Sequence, residues 1–377
     1  KPLHITLFHN EGFISGSGDN SFDNDGARGY YAGGGVVMTS STIETFKNSG
    51  TIKSTGKNNY PGGVKLIRAT VNTFENTGLI SGFNGLVILK GTIENFTNKG
   101  TIESTSQGGG EAAIRIQTAE LDPSSITNFT NEGIIKSSSN GVLIESGNKI
   151  ETLTNKRTIE SKLNGIGFYD DGGHTSPDNA DLGKIILESG SSIKAGKNGI
   201  DIDNQTARSI RVGGIEVKAG ASVSGDEAGI VNERIIGGDS GDDKKGGIII
   251  SGEVSGRIAG ILNKGKGSIA GSIVVENGGK LDSIINDEGA TIGRGITHNG
   301  EGDLVILSRG LVGKDDEGNT VTNNSGSVTI KDWVVSTDEK TGKLDTVRIG
   351  GKKTDDVKVS SITVDQSGLD LNELNDI

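Results

Sequence analysis

Along residues 5–168, apolar and polar positions follow one pattern that recurs six times. Its clearest copy is Ile93-Glu94-Asn95-Phe96-Thr97-Asn98-Lys99-Gly100-Thr101-Ile102-Glu103-Ser104. In general form it reads Ile-x-x-Phe-x-Asn-x-Gly-x-Ile-x-Ser. A third short apolar stretch, Gly-(Ile/Val/Leu)-x-(Ile/Leu), follows after a variable gap. Each copy therefore predicts three short strands separated by Gly, Asn and Ser turns. No helical spacing at i, i+3, i+4 and i+7 is sustained. The shortest interval between copies, Asn76 to Asn98, matches one three-stranded coil of a β-solenoid.

Stacking such coils sets equivalent strands side by side in parallel, ~4.8 Å apart. Ile43, Val71, Ile93, Ile126 and Ile150 then form an aliphatic ladder. Phe46, Phe74, Phe96 and Phe129 form an aromatic one, continued by Leu153. Asn48, Asn76, Asn98, Asn131 and Asn155 stack at a turn, where their amides bond along the ladder. The Gly two residues later suits a positive φ. Arg157 replaces that Gly in the sixth copy and predicts a local deviation.

Beyond Phe168 the pattern changes. A polar stretch at 169–183 is followed by coils built on Gly-Ile-x-Asn turns, such as Gly229-Ile230-Val231-Asn232 and Gly260-Ile261-Leu262-Asn263. Residues 303–377 carry longer strand candidates, the single Trp333 and hairpin-like turns such as 338–342. A solenoid end is an unpaired edge that needs covering, so this segment is expected to be a cap. The expected organisation is a parallel β-solenoid of roughly eleven three-stranded coils. It comprises 1–168 with Phe and Asn ladders, 169–302 with a thinner core, and 303–377 as a C-terminal capping β segment.

Composition fits a thin elongated core. Hydrophobic residues are 31 % and aromatics 4 %, too few for a compact globule of 377 residues. There are 62 Gly, without the period of three that collagen needs. The absence of Cys excludes disulfides and thiolate metal sites. A formal charge of −11, with scattered Lys and Arg, argues against nucleic-acid or anionic-membrane partners. No apolar run is long enough to span a membrane as a helix, and no signal peptide begins at Lys1. The chain is expected to start after a removed segment or to be an excised part.

The Asn-x-Gly repeats, in a Cys-free, acidic, Gly/Ser/Thr/Asn-rich chain, resemble the passenger domain of a Gram-negative autotransporter (type V secretion). The resemblance covers residues 5–300 as pattern. It implies a right-handed parallel β-helix, with 303–377 similar to the autochaperone-like cap of such passengers, export through the periplasm, and display at the outer-membrane surface or release. It also implies an adhesive, self-associating or toxic role. The translocator barrel of that family is not in this chain, so attachment to the outer membrane would run only through a barrel outside it.

Candidate chemistry is sparse. Gly238-Asp239-Ser240-Gly241 matches a protease nucleophile motif, but His4, His9, His174 and His298 offer no triad context. Asp170, Asp171 and His174 lack the spacing of a glycan hydrolase. Ser21–Gly26 is half of a Ca²⁺ loop, with Ala32 where a bidentate Glu belongs. Neither Gly33–Gly35 nor Gly108–Gly110 is a phosphate loop. Tyr30, Tyr31 and Tyr60 lie in insertions between the second and third strands of adjacent coils. They are the candidate binding residues, because Tyr gives large contact area at small entropic cost.

The expected function is a non-catalytic adhesin rod without cofactor or metal. Its expected partners are a host-cell surface protein, matrix or glycan, or a second rod. The alternatives are a β-helical polysaccharide lyase or hydrolase, whose cleft would be lined by several acidic residues and a basic one, a toxin passenger, and a passive spacer.

Overall fold

A computed structural model describes residues 3–17, 33–56, 61–117, 122–169, 180–203, 210–238, 246–335 and 347–365. These residues form a right-handed parallel β-helix. Three sheets form its faces; the first and third continue to the last described coils, and the second ends at Lys280–Leu281. Among the described residues they contain 18, 10 and 14 strands. Every recorded strand pair is parallel. Among the described residues the only helix is a 3-10 turn at Thr354–Asp356.

The repeat sets the register without slippage. Ile43 pairs with Val71, Val71 with Ile93, Ile93 with Ile126, and Ile126 with Ile150. The phenylalanines stack from Phe8 to Phe129, with ring centroids 4.7, 4.6, 5.3 and 4.6 Å apart. Leu153 and Ile185 extend the column. Ile-x-x-Phe does not keep a period of two. Each first-sheet strand bends between the two inward residues, so a pair such as Glu94-Asn95 both face out. From coil eight the bend splits the strand, as at Ile210–Val212 and Ile215–Val217. Glycine then lines it. A Cβ on Gly213 would meet Gly183 O at 2.0 Å, and one on Gly313 would meet Gly293 O at 2.0 Å.

The asparagine column is the polar spine of the front half. Asn10, Asn48, Asn76, Asn98 and Asn131 each donate from Nδ2 to the Oδ1 of the next Asn, over 2.8, 2.7, 2.8, 2.9 and 2.8 Å. Asn48 also donates to Gly50 O at 3.2 Å and Leu79 O at 3.2 Å. These amides are buried with their donors used, which is what makes burying them tolerable. A second column, Asn232, Asn263 and Asn286, stands at the third-to-first corner, with amide links of 2.8 and 2.8 Å. Ser308 ends it.

The glycine of Asn-x-Gly corrects the sequence expectation. Gly12, Gly50, Gly78, Gly100 and Gly133 do not have positive φ. They are glycine because the coils approach too closely for a Cβ. On Gly50, Gly78, Gly100 and Gly133 it would lie 2.0–2.1 Å from the carbonyl oxygen of the coil before. Gly12, in the first coil, has nothing within 4 Å. The turn at Arg157 keeps its shape, since Asn155 still donates to Arg157 O at 3.1 Å. Above it the turn lengthens, and Gly190 and Gly220 take φ of 78° and 78°.

Eleven coils are stacked by Ser308. The described part of 303–377 is not a set of hairpins. Ser327–Val335 pairs in parallel with Asp303–Ser308 below, and with Val357–Val359 and Ile362–Val364 above. It adds further coils, with Trp333 buried against the core. Residues 338–342 lie outside the described residues. All three sheets continue across position 168, and the first and third across position 302.

Close packing at the Gly column has a measurable consequence. Gly100→Ala should cost at least ~2 kcal/mol in denaturant unfolding, because only backbone movement relieves a contact to a carbonyl. Gly12→Ala, the same repeat position without a coil beneath it, should cost under about 0.5 kcal/mol. Equal losses would refute the close-approach explanation.

Candidate functional site

Insertions enter the rod at defined corners. Residues 18–32 join Phe13–Gly16 to Gly34–Thr39, and 57–60 follow Thr51–Ser54 before Gly62–Ile67. Both therefore leave and rejoin at the second-to-third corner of adjacent coils. Tyr30, Tyr31 and Tyr60 themselves lie outside the described residues. So do Ser21–Gly26, Asp170, Asp171, His174 and residues 239–241. Later insertions change place. Residues 170–179 and 204–209 open from the third-to-first corner, and 239–245 from the bend of the first sheet.

Next to Gly56, where the second insertion begins, a hollow of about 480 Å³ lies at the second-to-third corner of coils two to four. Phe83, Lys53, Glu103, Gln107 and the hydroxyls of Thr55, Ser81 and Thr105 line it. Its floor is fixed by the repeat. Ser81 Oγ donates to Glu103 Oε1 at 2.8 Å, Thr105 Oγ1 to Gly82 O at 3.1 Å, and Thr55 N to Gly16 O at 2.8 Å. The last bond ties this wall to the residue just before the first insertion. An apolar ring with convergent donors and acceptors is the chemistry of a polar-ligand pocket.

A second feature was not anticipated. The third-sheet strands of coils two to five are buried on both faces. In the outward rows lie Lys65, Arg115 and Glu145, each no more than 5 % exposed, with Glu111 beside them. Arg115 holds both carboxylates. Its Nη1 donates to Glu111 Oε2 at 3.1 Å and its Nε to Glu145 Oε1 at 2.7 Å. Asn84 Nδ2 adds a bond to Glu111 Oε2 at 3.3 Å. Burial pushes Glu111 upward against the pull of Arg115. Burial, and then Arg115, bring the Lys65 ammonium down to about 8. The sequence signal was the x of Gly-Val64-x-Leu66 and Ala-Ile114-x-Ile116, positions at which outward residues are ordinarily polar and solvated.

The strip continues at coils seven to nine. Asp203 is pushed up to about 6 by burial and by its hydrogen bond to Glu233. Lys264 pairs with Glu233 from the next coil. An open groove of about 690 Å³ lies at the second-to-third corner of coils seven to ten. It is lined by Asp226, Glu227, Arg257 and Asp282, with Gly196, Gly225 and Gly256 as floor.

Of the described histidines, His4 and His9 bond Glu44 and Ser49 on the first coils. His298 is fully buried in the inward column between Val275 and Asn323. Its Nε2 donates to Gly302 O at 3.3 Å, and burial lowers its pKa. Among the described residues no group of three or more His, Asp or Glu side chains is placed to hold a metal ion. Compared with known proteins, the chain matches no family model, no curated protein and no solved structure.

Two outcomes follow from these charges. Arg115→Met leaves two buried carboxylates without their shared partner and should destabilise the rod by about 3–5 kcal/mol. Adding Glu145→Gln should recover part of that loss in a double-mutant cycle. A lowered His pKa means that the unfolded chain binds the proton more readily. The His298 contribution is thus intact above the ordinary value of 6.5 and is lost as pH falls through the lowered one. Thermal unfolding of His298→Val against wild type at pH 8 and pH 5 should show the variant gaining at the lower pH. An unchanged difference would rule this out.

Proposed function

We propose that the protein is a non-catalytic interaction rod, an adhesin passenger of the autotransporter type, displayed at or released from a bacterial surface. It acts through its corner loops. The observation that carries this reading is the second-to-third corner of coils one to four. Two Tyr-bearing insertions are anchored there one coil apart, beside the hollow of about 480 Å³. The partner would be a host-surface protein, matrix component or glycan, held by many modest contacts that add through multivalency. The outer face of the first sheet suits contact with a second rod. Thr73, Asn95 and Asn128 stand exposed in one column, with Asn128 Nδ2 bonded to Asn95 Oδ1 at 3.0 Å. Such a face pairs weakly and reversibly.

Glycan cleavage is the second reading, favoured by the groove with Asp226, Glu227, Asp282 and Arg257. Hydrolysis needs one carboxyl kept protonated by burial. Asp226 and Asp282 are exposed, which supports binding over cleavage. The buried carboxylates Glu111 and Glu145 are held by Arg115.

Beads coated with the protein should attach to epithelial cells, matrix or a glycan array, or to one another. Lys53→Glu combined with Glu103→Lys should cut attachment at least tenfold without changing the β-rich circular dichroism. Lys194→Glu, on the same sheet three coils farther on, should not. Failure of wild-type beads to bind any of these surfaces would sink the proposal. Release of reducing or unsaturated ends from a polysaccharide would replace it with the enzymatic reading.

A further inference from the structure

The hollow beside Gly56 originates in the corners of three successive coils. Between its second and third strands coil two uses residues 55–61, and coil four uses residues 105–111. Coil three turns the same corner on Phe83 alone. Its corner is therefore set back between two longer ones, and the step between them is the hollow. In the register of the second sheet, Thr55, Phe83 and Thr105 are equivalent positions of coils two, three and four.

Phe83 does not serve the core. It is half-buried and stands outside the apolar cluster of the rod. The same position, just before the third strand, carries Glu111, Ser139 and Glu227 in other coils. The backbone at Phe83 is pinned from both sides. Phe83 O accepts from Ser104 Oγ at 2.5 Å and from Ser106 N at 3.3 Å, while Asn84 N donates to Pro61 O at 3.1 Å. Polar groups line the same space: Lys53, Thr55, Gln107 and Glu103. Glu103 accepts from Ser81 through Oε1, which leaves Oε2 for a second donor.

An aromatic residue in a notch, with donors and acceptors around it, matches a sugar ring. A pyranose lays its C–H face on an aromatic ring and directs its hydroxyls to the polar groups at the rim. Among the described residues lining the hollow, the charges are Lys53 and Glu103, which are opposite. The chain as a whole carries −11. Both facts disfavour sulfated or sialylated sugars. We propose that this hollow is a saccharide subsite that takes one neutral pyranose unit of a glycan, stacked on Phe83 and hydrogen-bonded by Glu103, Gln107 and Lys53. The assignment rests on the adhesive reading and narrows its partner to one chemical class.

The test applies the whole chain to an array of neutral and anionic glycans. Coated beads are applied in parallel to epithelial cells, before and after periodate oxidation of the surface sugars. Neutral glycans should bind, and capping the same glycans with sialic acid or sulfate should weaken binding at least tenfold. Phe83→Ala should lose at least tenfold in neutral-glycan binding with Tm and circular dichroism unchanged, and Phe83→Tyr should keep it. Gln107→Ala, at an exposed position of the coil-four wall, should weaken binding severalfold even if Phe83→Ala disturbs the corner. Undiminished binding by the folded variants overturns the subsite, as does an array on which only anionic glycans, or none, are bound. Beads that attach equally well to oxidised cells overturn the sugar and leave the adhesin with a protein partner. Beads that attach to no surface, together with an empty array, sink both readings.

Discussion

Everything in this rod depends on the parallel, in-register stacking of coils ~4.8 Å apart. Each backbone group of a strand is bonded to the coil above and the coil below, so a side chain meets the same position of its neighbours. A residue type that stacks well on itself can therefore be repeated, and one that does not must be broken up. Phenylalanine and isoleucine stack by contact. Asparagine stacks because its amide is both donor and acceptor, so a column of Asn satisfies itself rung by rung, as Asn10 to Asn155 do. The column ends where Leu187 follows Asn155. There the turn loses its amide spine, grows longer and takes glycines of positive φ.

Much of this was legible because the repeat states its own register. Ile43, Phe46 and Asn48 recur at fixed offsets, and fixed offsets mean fixed neighbours. What was misread are features that depend on the distance between coils. Gly50 and Gly78 looked like positive-φ turn residues, yet they are needed because a carbonyl lies 2.0 Å from where their Cβ would be. The bend in Ile-x-x-Phe was hidden for a similar reason, since a period of three within a strand resembles a loop. The segment after 302 read as a separate cap because its strands are longer and its Gly-Ile turns are lost. Its strands nonetheless continue the first and third sheets in parallel, with a register shift between Ile306 and Leu307, while the second sheet ends at Lys280–Leu281. Glu111, Arg115 and Glu145 went unnoticed because two of them occupy slots read only for the aliphatic residues that flank them. Their partnership crosses from one coil to the next.

The scaffold also explains why function would concentrate at corners. A strand cannot accept an insertion without breaking its sheet, whereas the corners and the split bend of the first sheet can. Insertions at one corner of adjacent coils leave the rod a single coil apart. Tyr30, Tyr31 and Tyr60 belong to two such insertions. The hollow next to Gly56 is framed by hydroxyls that the repeat already commits to backbone carbonyls. Its shape is thus set by the rod before any partner arrives, which limits the ordering cost of binding.

Stacking imposes one further rule, on charge. Like charges on successive rungs would sit within ~5 Å of each other, and unlike charges would attract at the same distance. The second-sheet column of Lys53, Ser81, Glu103, Lys136, Glu160 and Lys194 obeys this rule by alternating in sign or interposing a hydroxyl. So does Lys47 beside Glu75. Departures from the rule stand out against such regularity. Asp203 and Glu233 are carboxyls on adjacent coils; burial and then the hydrogen bond to Glu233 raise Asp203 to about 6, while Lys264 pairs with Glu233. Asp201, nearby, is a buried carboxylate whose Oδ1 has no donor. Both departures lie within two coils of the end of the asparagine spine. A repeat that keeps unlike charges on neighbouring rungs of these columns thus leaves its exceptions in the coils just beyond the end of its own spine.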